Sequence, residues 1–253
     1  MRPYILAETN WHHIKDAQIE LAILPWGSVE AHNYHLPYAS DIIESDFIAA
    51  ESARIAWEKG AKLIVLPTLP YGVNTGQADI RLDMNLNPST QFAILQDIIQ
   101  VLDRQGIYKL LVFNSHGGND FKPILRELGL KYPRMLLCTA NWFQALNRDD
   151  FFENKGDHAE EMETSLMLYL KPELVLAREK WGEGTEKQPR IKAFSESWLW
   201  MERKWPKITS DTGAGNPKKA TRDKGEHYFK TLTDKIGNVF YELSQIDADD
   251  MYE

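Results

Sequence analysis

Apolar residues in this chain gather into short unbroken runs separated by longer stretches with helical spacing. Residues 19–26, IELAILPW, form the first run, closed by Pro25 and Gly27, and read as a buried strand. AKLIVLPTLPYG at 61–72 is a second strand ended by prolines. KLLVFN at 109–114 and MLLCTA at 135–140 complete four. Between them, Ile43, Phe47, Ala50, Ile55 and Ala56 recur near a helical period over 42–59, and Gly60 supplies a C-cap. A helix through QFAILQDIIQVLDRQG starts behind an N-cap at Ser89 or Thr90 and ends at Gly106. FKPILRELGL follows the third strand. EEMETSLMLYL, from near residue 160, and residues 221–245 are helical further on.

Strand–helix alternation with short connections predicts a three-layer α/β/α fold with a mostly parallel sheet, spanning 1–253 as one domain. Unbroken apolar strands fit a sheet covered on both faces. Residues 141–157 read as a long loop. Residues 182–220 read as irregular, with Trp198, Trp200 and Trp205 forming either a lid or an interface.

Composition narrows the function classes. With 253 residues and 43% hydrophobic content the chain can bury a large core. A net charge of −8 without a basic stripe argues against nucleic-acid partners. No apolar run approaches the ~20 residues of a membrane span, and MRPYILAETN lacks the pattern of a secretory signal, so a cytoplasmic enzyme is expected. The single cysteine, Cys138, excludes an internal disulfide and reads as a small buried hydrophobe.

Parallel sheets bind ligands at the carboxyl ends of their strands. Three polar clusters fall there or on the next helix. LPWGSVEAHNYHLPYASD at 24–41 carries Glu30, His32, His35 and Asp41, although Asp41 equally suits a helix N-terminus. NSHGGN at 114–119 carries His116 beside two glycines that permit close backbone approach. DHAEEMETS at 157–165 carries His158, Glu160, Glu161 and Glu163, more acid than one helix turn needs for its dipole. Mixed imidazole and carboxylate donors suit Zn²⁺ or Mn²⁺, and a shared carboxylate would make a dinuclear site.

The first stretch resembles the opening signature of the creatininase (creatinine amidohydrolase) family, Pro-x-Gly-Ser-x-Glu-Gln-His-Gly-x-His-Leu-Pro followed by Asp. The resemblance continues through NSHGGN, HAEEMETS and TGAGNPKKATRDKGE at 212–226, in the family's order. It implies a metal-dependent hydrolase of cyclic or linear amides. It also implies two divalent ions per chain, Zn²⁺ first and Mn²⁺ or Fe²⁺ as alternatives, a small-molecule amide substrate, and a homo-oligomer, commonly a hexamer. By motif, Glu30, His32, Asp41 and His116 look like ligands, with Asp41 as the bridge. Creatininase has a ligand glutamate where this chain has Gly118. Glu161 is assigned in its place, and as a possible base, with Glu163 the alternative. His158 aligns with the family's histidine near the leaving group and is expected to be a general acid. His35 is expected to support the ligands rather than bind. Thr75, Gly117, Asn119 and Asn154 are expected to line the substrate pocket.

Creatininase carries an aromatic residue at the position of Gly117 and a tryptophan at that of Asn154, so a pocket shaped for creatinine is not expected. Other members hydrolyse formamides of purine or pyrimidine breakdown products, which is the alternative substrate class. A non-catalytic α/β binding module would need a glycine-rich phosphate loop, and the chain has none. A phosphoesterase would have to use Arg222 and Lys224 as its phosphate clamp.

Overall fold

The computed structural model describes residues 1–252. Its four main strands are β1 Leu21–Trp26, β2 Leu63–Val65, β3 Lys109–Asn114 and β4 Leu136–Asn141. They form one parallel sheet in the order β2–β1–β3–β4. A short α1, Trp11–Ile14, precedes the sheet. The crossovers are α2 Ser40–Glu58, α3 Pro88–Arg104 and α4 Lys122–Lys131. Beyond the sheet come α5 Glu161–Leu170, α6 Lys192–Ser195, α7 Trp205–Ile208 and α8 Arg222–Gln245. Two short antiparallel strands, β5 Gly156–His158 and β6 Ala214–Gly215, tie the third polar cluster to the fourth motif.

Side-chain alternation divides the strands between two cores. Leu21, Ile23, Leu63, Val65, Leu111 and Phe113 pack toward α2, α5 and α8. Ala22, Leu24, Trp26, Ile64, Leu110 and Val112 pack toward α3 and α4. Both faces are therefore covered, which is why β1 and β3 have no polar alternation. β4, at the edge, is only half-buried. Cys138 on it is free and partly buried, and burial pushes its thiol up, which suits an inert thiol.

Pro25 stands in the interior strand β1, where a missing N–H would normally break a ladder. The carbonyls of Ile23 and Pro25 accept from Leu66 and Leu69, so the absent donor faces the chain beyond the end of β2. Pro67 and Pro70 likewise stop β2 well short of the apolar run over 61–72. The loop expected over 141–157 holds two 3₁₀ turns and the start of β5. No helix among the described residues is long and apolar enough to cross a membrane.

Candidate metal centre

The register aligns the carboxyl ends of three strands, pairing Trp26 with Asn114 and Asn114 with Asn141. Past β1 the chain turns at Gly27, where an added Cβ would lie 2.9 Å from the Ile42 backbone nitrogen. That absence of a side chain lets the first turn of α2 close over the strand end and brings Asp41 beside Glu30 and His32. His116 follows β3 by two residues. Ala159 takes a φ of 51° between β5 and α5, turning the chain so that His158 and Glu163 come to the same place.

Asp41 lies in the first turn of α2, but Ala39 is the N-cap and no side chain caps there. The Asp41 carboxylate instead divides itself between two imidazoles. Oδ1 lies 3.0 Å from His32 Nε2, and Oδ2 lies 3.1 Å from His116 Nδ1. Glu30 Oε1 is 2.6 Å from the same His116 Nδ1. Donor atoms of Glu30, Asp41 and His116 fall within 4.8 Å of one another, as do those of His32, Asp41 and Glu163, and those of Glu30, His32 and His158. Every one of these residues except the half-buried Glu163 is buried.

Backbone carbonyls fix which nitrogen each ring offers. His32 Nδ1–H donates to the Glu30 carbonyl at 3.0 Å, His116 Nε2–H to the Val73 carbonyl at 3.0 Å, and His158 Nε2–H to the Ala31 carbonyl at 2.8 Å. A carbonyl only accepts, so the hydrogen belongs to the ring nitrogen in each pair. His32 Nε2 and His116 Nδ1 are left facing the carboxylates, an orientation typical of metal-binding histidines.

Burial opposes charge on His32, but Asp41 overrides it and raises the ring to about 10. Burial opposes charge on His116 as well, and Glu30 and Asp41 raise it well above its ordinary range. Burial works against the Glu30 carboxylate, yet His116, His158 and His32 hold it well below the usual value. Burial lifts Glu163 to about 8, against the pull of His32 and with Glu160 and Asp41 adding to it. The centre thus concentrates negative field on a small volume, and the donors present fit divalent cations, which compete with protons for the same atoms.

A pH dependence follows. Raised folded values mean that the metal-free native state holds protons the unfolded chain has lost. For His32 that stability is complete below the ordinary 6.5 and is lost as pH rises through about 10; for Glu163 the loss runs from the ordinary 4.5 to about 8. The melting temperature of chelator-treated protein is expected to fall steadily from pH 6 to pH 9. Added Zn²⁺ should raise it more at pH 8 than at pH 6.

Glu161 is not part of this cluster. Its Oε1 pairs with Lys224 Nζ at 2.5 Å, and its Oε2 accepts from the backbone of Asn154 at 2.8 Å and Glu153 at 3.2 Å. Successive helical residues turn by ~100°, so Glu161 and Glu163 face nearly opposite ways. Glu163 faces His32 and Asp41 and accepts from the Ala159 amide, while Glu160 caps α5 through the Met162 amide. An added Cβ at Gly118 would collide with the Val73 carbonyl and the His116 ring, so no glutamate fits at that loop position with the backbone as it stands.

Other expected residues divide. Thr75 and Gly117 line a cavity of about 550 Å³ that also touches Glu30, His116 and His158. Asn119 does not line it. Its Oδ1 accepts from Val73 and Gln91, and its Nδ2 donates to Asn114, so it staples loops together. Asn154 lies at a separate opening beside Arg148 and Glu160. His35 hydrogen-bonds Thr164 Oγ1 at 2.9 Å, stacks on Trp181, and is lowered by burial to about 4, a neutral ring bracing α5. Arg222 pairs with Glu226, and Lys224 with Glu161 and Glu153, so the two cations expected for a phosphate clamp are both engaged by carboxylates.

The tryptophan segment roofs the cavity. Trp205 is buried and meets the His158 ring edge-on at 4.9 Å, while Trp200 stands 83% exposed at the mouth. Thr75 Oγ1 bonds Glu202, and Arg203 pairs with Asp157 at 2.9 Å. Two residues were not legible in the sequence. Gln77 reaches Glu30 from the turn after β2. Glu44 is fully buried behind the centre, with neither carboxylate oxygen hydrogen-bonded, and burial raises it well above its usual range.

Residues 7–240 match the sequence model of the family described as creatininase, creatinine amidohydrolase. A creatinine amidohydrolase from Pseudomonas putida is 29% identical over 174 residues, covering 60% of this chain and 65% of that protein, slightly under two thirds of its length. A solved Bacteroides fragilis structure, provisionally described as a creatinine amidohydrolase, is 40% identical and superposes over 100% of both chains with a TM-score of 0.93. A manganese creatininase shares the fold at 21% identity and a TM-score of 0.78, over 96% of this chain and 99% of that one. A zinc–zinc form of a creatininase variant gives 0.77 at the same identity and coverage. The ordered motifs, the strand-end cluster and a family match across most of the sequence agree: this chain belongs to the creatininase family of amidohydrolases.

Proposed function

We propose that this chain is a dinuclear metal amidohydrolase that cleaves a C–N amide bond in a small molecule. The observation that carries the reading is Asp41, whose two oxygens face one imidazole each between Glu30 and Glu163. Glu30, Asp41 and His116 would hold one divalent ion, and His32, Asp41 and Glu163 the other, with Zn²⁺ preferred by the donor set and Mn²⁺ or Fe²⁺ next. Such ions polarise an amide carbonyl and lower the pKa of water.

The chain's own groups handle protons and orientation. Burial lowers His158, so its ring is neutral, with the Nε2 hydrogen held by Ala31. A neutral ring must gain a proton before giving one. His158 Nδ1 therefore takes a proton from the attacking water and passes it to the departing nitrogen as the C–N bond breaks. Trp205, packed on that ring, keeps solvent away from the transfer. Glu30 is the second candidate acceptor for the water's proton.

A cavity of about 550 Å³ with tryptophan at its roof is roomier than a single small ring requires. That favours a formamide or cyclic amide on a larger planar body, such as a purine- or pyrimidine-derived compound, over creatinine itself. We read the chain as one domain that assembles as a homo-oligomer, a hexamer by family likeness.

The test is turnover of the metal-loaded protein against creatinine, formylated aminopyrimidines and small cyclic amides. Hydrolysis of at least one class is expected. His158→Ala should lower kcat by about 10²–10⁴-fold with bound metal unchanged. Near wild-type turnover in that variant would remove His158 from the proton path, and no hydrolysis by the loaded wild type would remove the reading.

A further inference from the structure

The turn after β2 carries a side chain that no motif singles out. Residues Thr75–Gln77 form one 3₁₀ turn. Gln77 is 3% exposed, lines the cavity, and donates from Nε2 to Glu30 Oε2. The other oxygen of Glu30 is the one that faces His116. Gln77 Oε1 is buried with no hydrogen-bond partner. Because a carboxylate only accepts, the amide must present its nitrogen to Glu30, and its oxygen is left over. A buried amide with half its capacity unused is a poor way to fill space, since an apolar side chain of that size would leave no unpaired acceptor.

The turn itself is held firmly. Asn74 Nδ2 donates to Ser28 Oγ at 2.7 Å and to the Met84 carbonyl at 3.0 Å, and its backbone nitrogen donates to Asn85 Oδ1 at 2.8 Å. The Gln77 amide closes the turn on the Asn74 carbonyl at 3.0 Å. On the outer side, Thr75 bonds Glu202, and Gly76 packs so closely beneath the Arg203 carbonyl that a Cβ would collide with it. One three-residue turn therefore bears on the roof at one end and on a candidate ligand at the other.

We propose that Gln77 is a positioning residue for the metal centre: it ties up the outer oxygen of Glu30 so that the inner one is aimed at the ion held with Asp41 and His116. The inference rests on the dinuclear reading above and adds a residue to it. Hydrogen bonds that orient ligands typically change metal affinity 10–100-fold when removed.

The test is Gln77→Met, which keeps the volume and removes the amide, with Gln77→Leu as a second variant should the first fail to fold. Zn²⁺ affinity is measured by chelator competition, together with melting temperatures of the metal-free and Zn²⁺-loaded forms. Expected is a Kd for one of the ions weakened by about tenfold or more, and a smaller rise in melting temperature on loading, because ligand stabilisation follows the ratio of concentration to Kd. On any turned-over amide, kcat should fall with KM little changed. A purely structural role predicts equal lowering of both melting temperatures with Kd intact, and that result would overturn the proposal. A wild type that binds no Zn²⁺ would overturn the dinuclear reading as well, whereas normal wild-type binding with an unaffected variant removes only Gln77.

Discussion

Replacing Asp41 with alanine is expected to leave the purified protein with less than about one divalent ion per chain, where the wild type takes up about two. Asp41 is the residue shared by the two proposed ion positions, through Oδ1 beside His32 and Oδ2 beside His116. Removing it also leaves two imidazoles in a buried volume without the carboxylate that raises them, so both should titrate lower. Loss of several kcal/mol of charge stabilisation corresponds to a fall in kcat/KM of roughly 10³-fold or more. Elemental analysis after Zn²⁺ or Mn²⁺ loading reads the first effect and steady-state kinetics the second. Two tightly held ions in Asp41→Ala would disprove the bridging role. Less than one ion in the fully loaded wild type would end the dinuclear assignment.

The second large effect separates two glutamates that stand two residues apart. Glu163→Gln is expected to lose the ion proposed to sit with His32, together with most of the activity, and to keep its fold. Glu161→Gln is expected to retain both ions and lose stability, because it breaks a fully buried carboxylate's pair with Lys224 and weakens its hold on the Asn154 and Glu153 amides. A buried hydrogen-bonded group that loses its charged partner costs about 1–3 kcal/mol. Melting curves and metal content measured on the two variants side by side should show this crossover. Metal loss in Glu161→Gln at full stability would reverse the assignment.

That pair also shows where the sequence stops being readable. Apolar runs with proline and glycine stops located β1, β3 and β4 within a residue or two, because buried parallel strands need a composition that little else imitates. Glu30, His32, Asp41 and His116, singled out by likeness to the family's motifs, stand together in the structure, while the strand pattern indicated only that their segments meet at one edge of the sheet. Glu161 and Glu163 lie on a helix whose rotation about its axis depends on how α5 packs between α2 and α8, and no local pattern encodes that angle. Asn119 and Asn154 were drawn toward the pocket by likeness of position, yet one is consumed by Val73, Gln91 and Asn114 and the other faces a different opening. Gln77 gave no signal, since a lone glutamine in a loop looks like any solvated residue. β5 and β6 were equally silent, being two or three residues long and joined across more than fifty positions.

The three imidazoles of the centre each give a ring hydrogen to a main-chain carbonyl, two of these carbonyls lying in the same loop as Glu30 and His32. A half-turn of any ring would set a C–H against that carbonyl and leave a buried nitrogen unpaired, at about 1–3 kcal/mol apiece. The rings are therefore locked before anything binds. Capture of a cation then requires the departure of protons rather than a rearrangement of the chain, so its rate should track the concentration of hydroxide more closely than the viscosity of the medium.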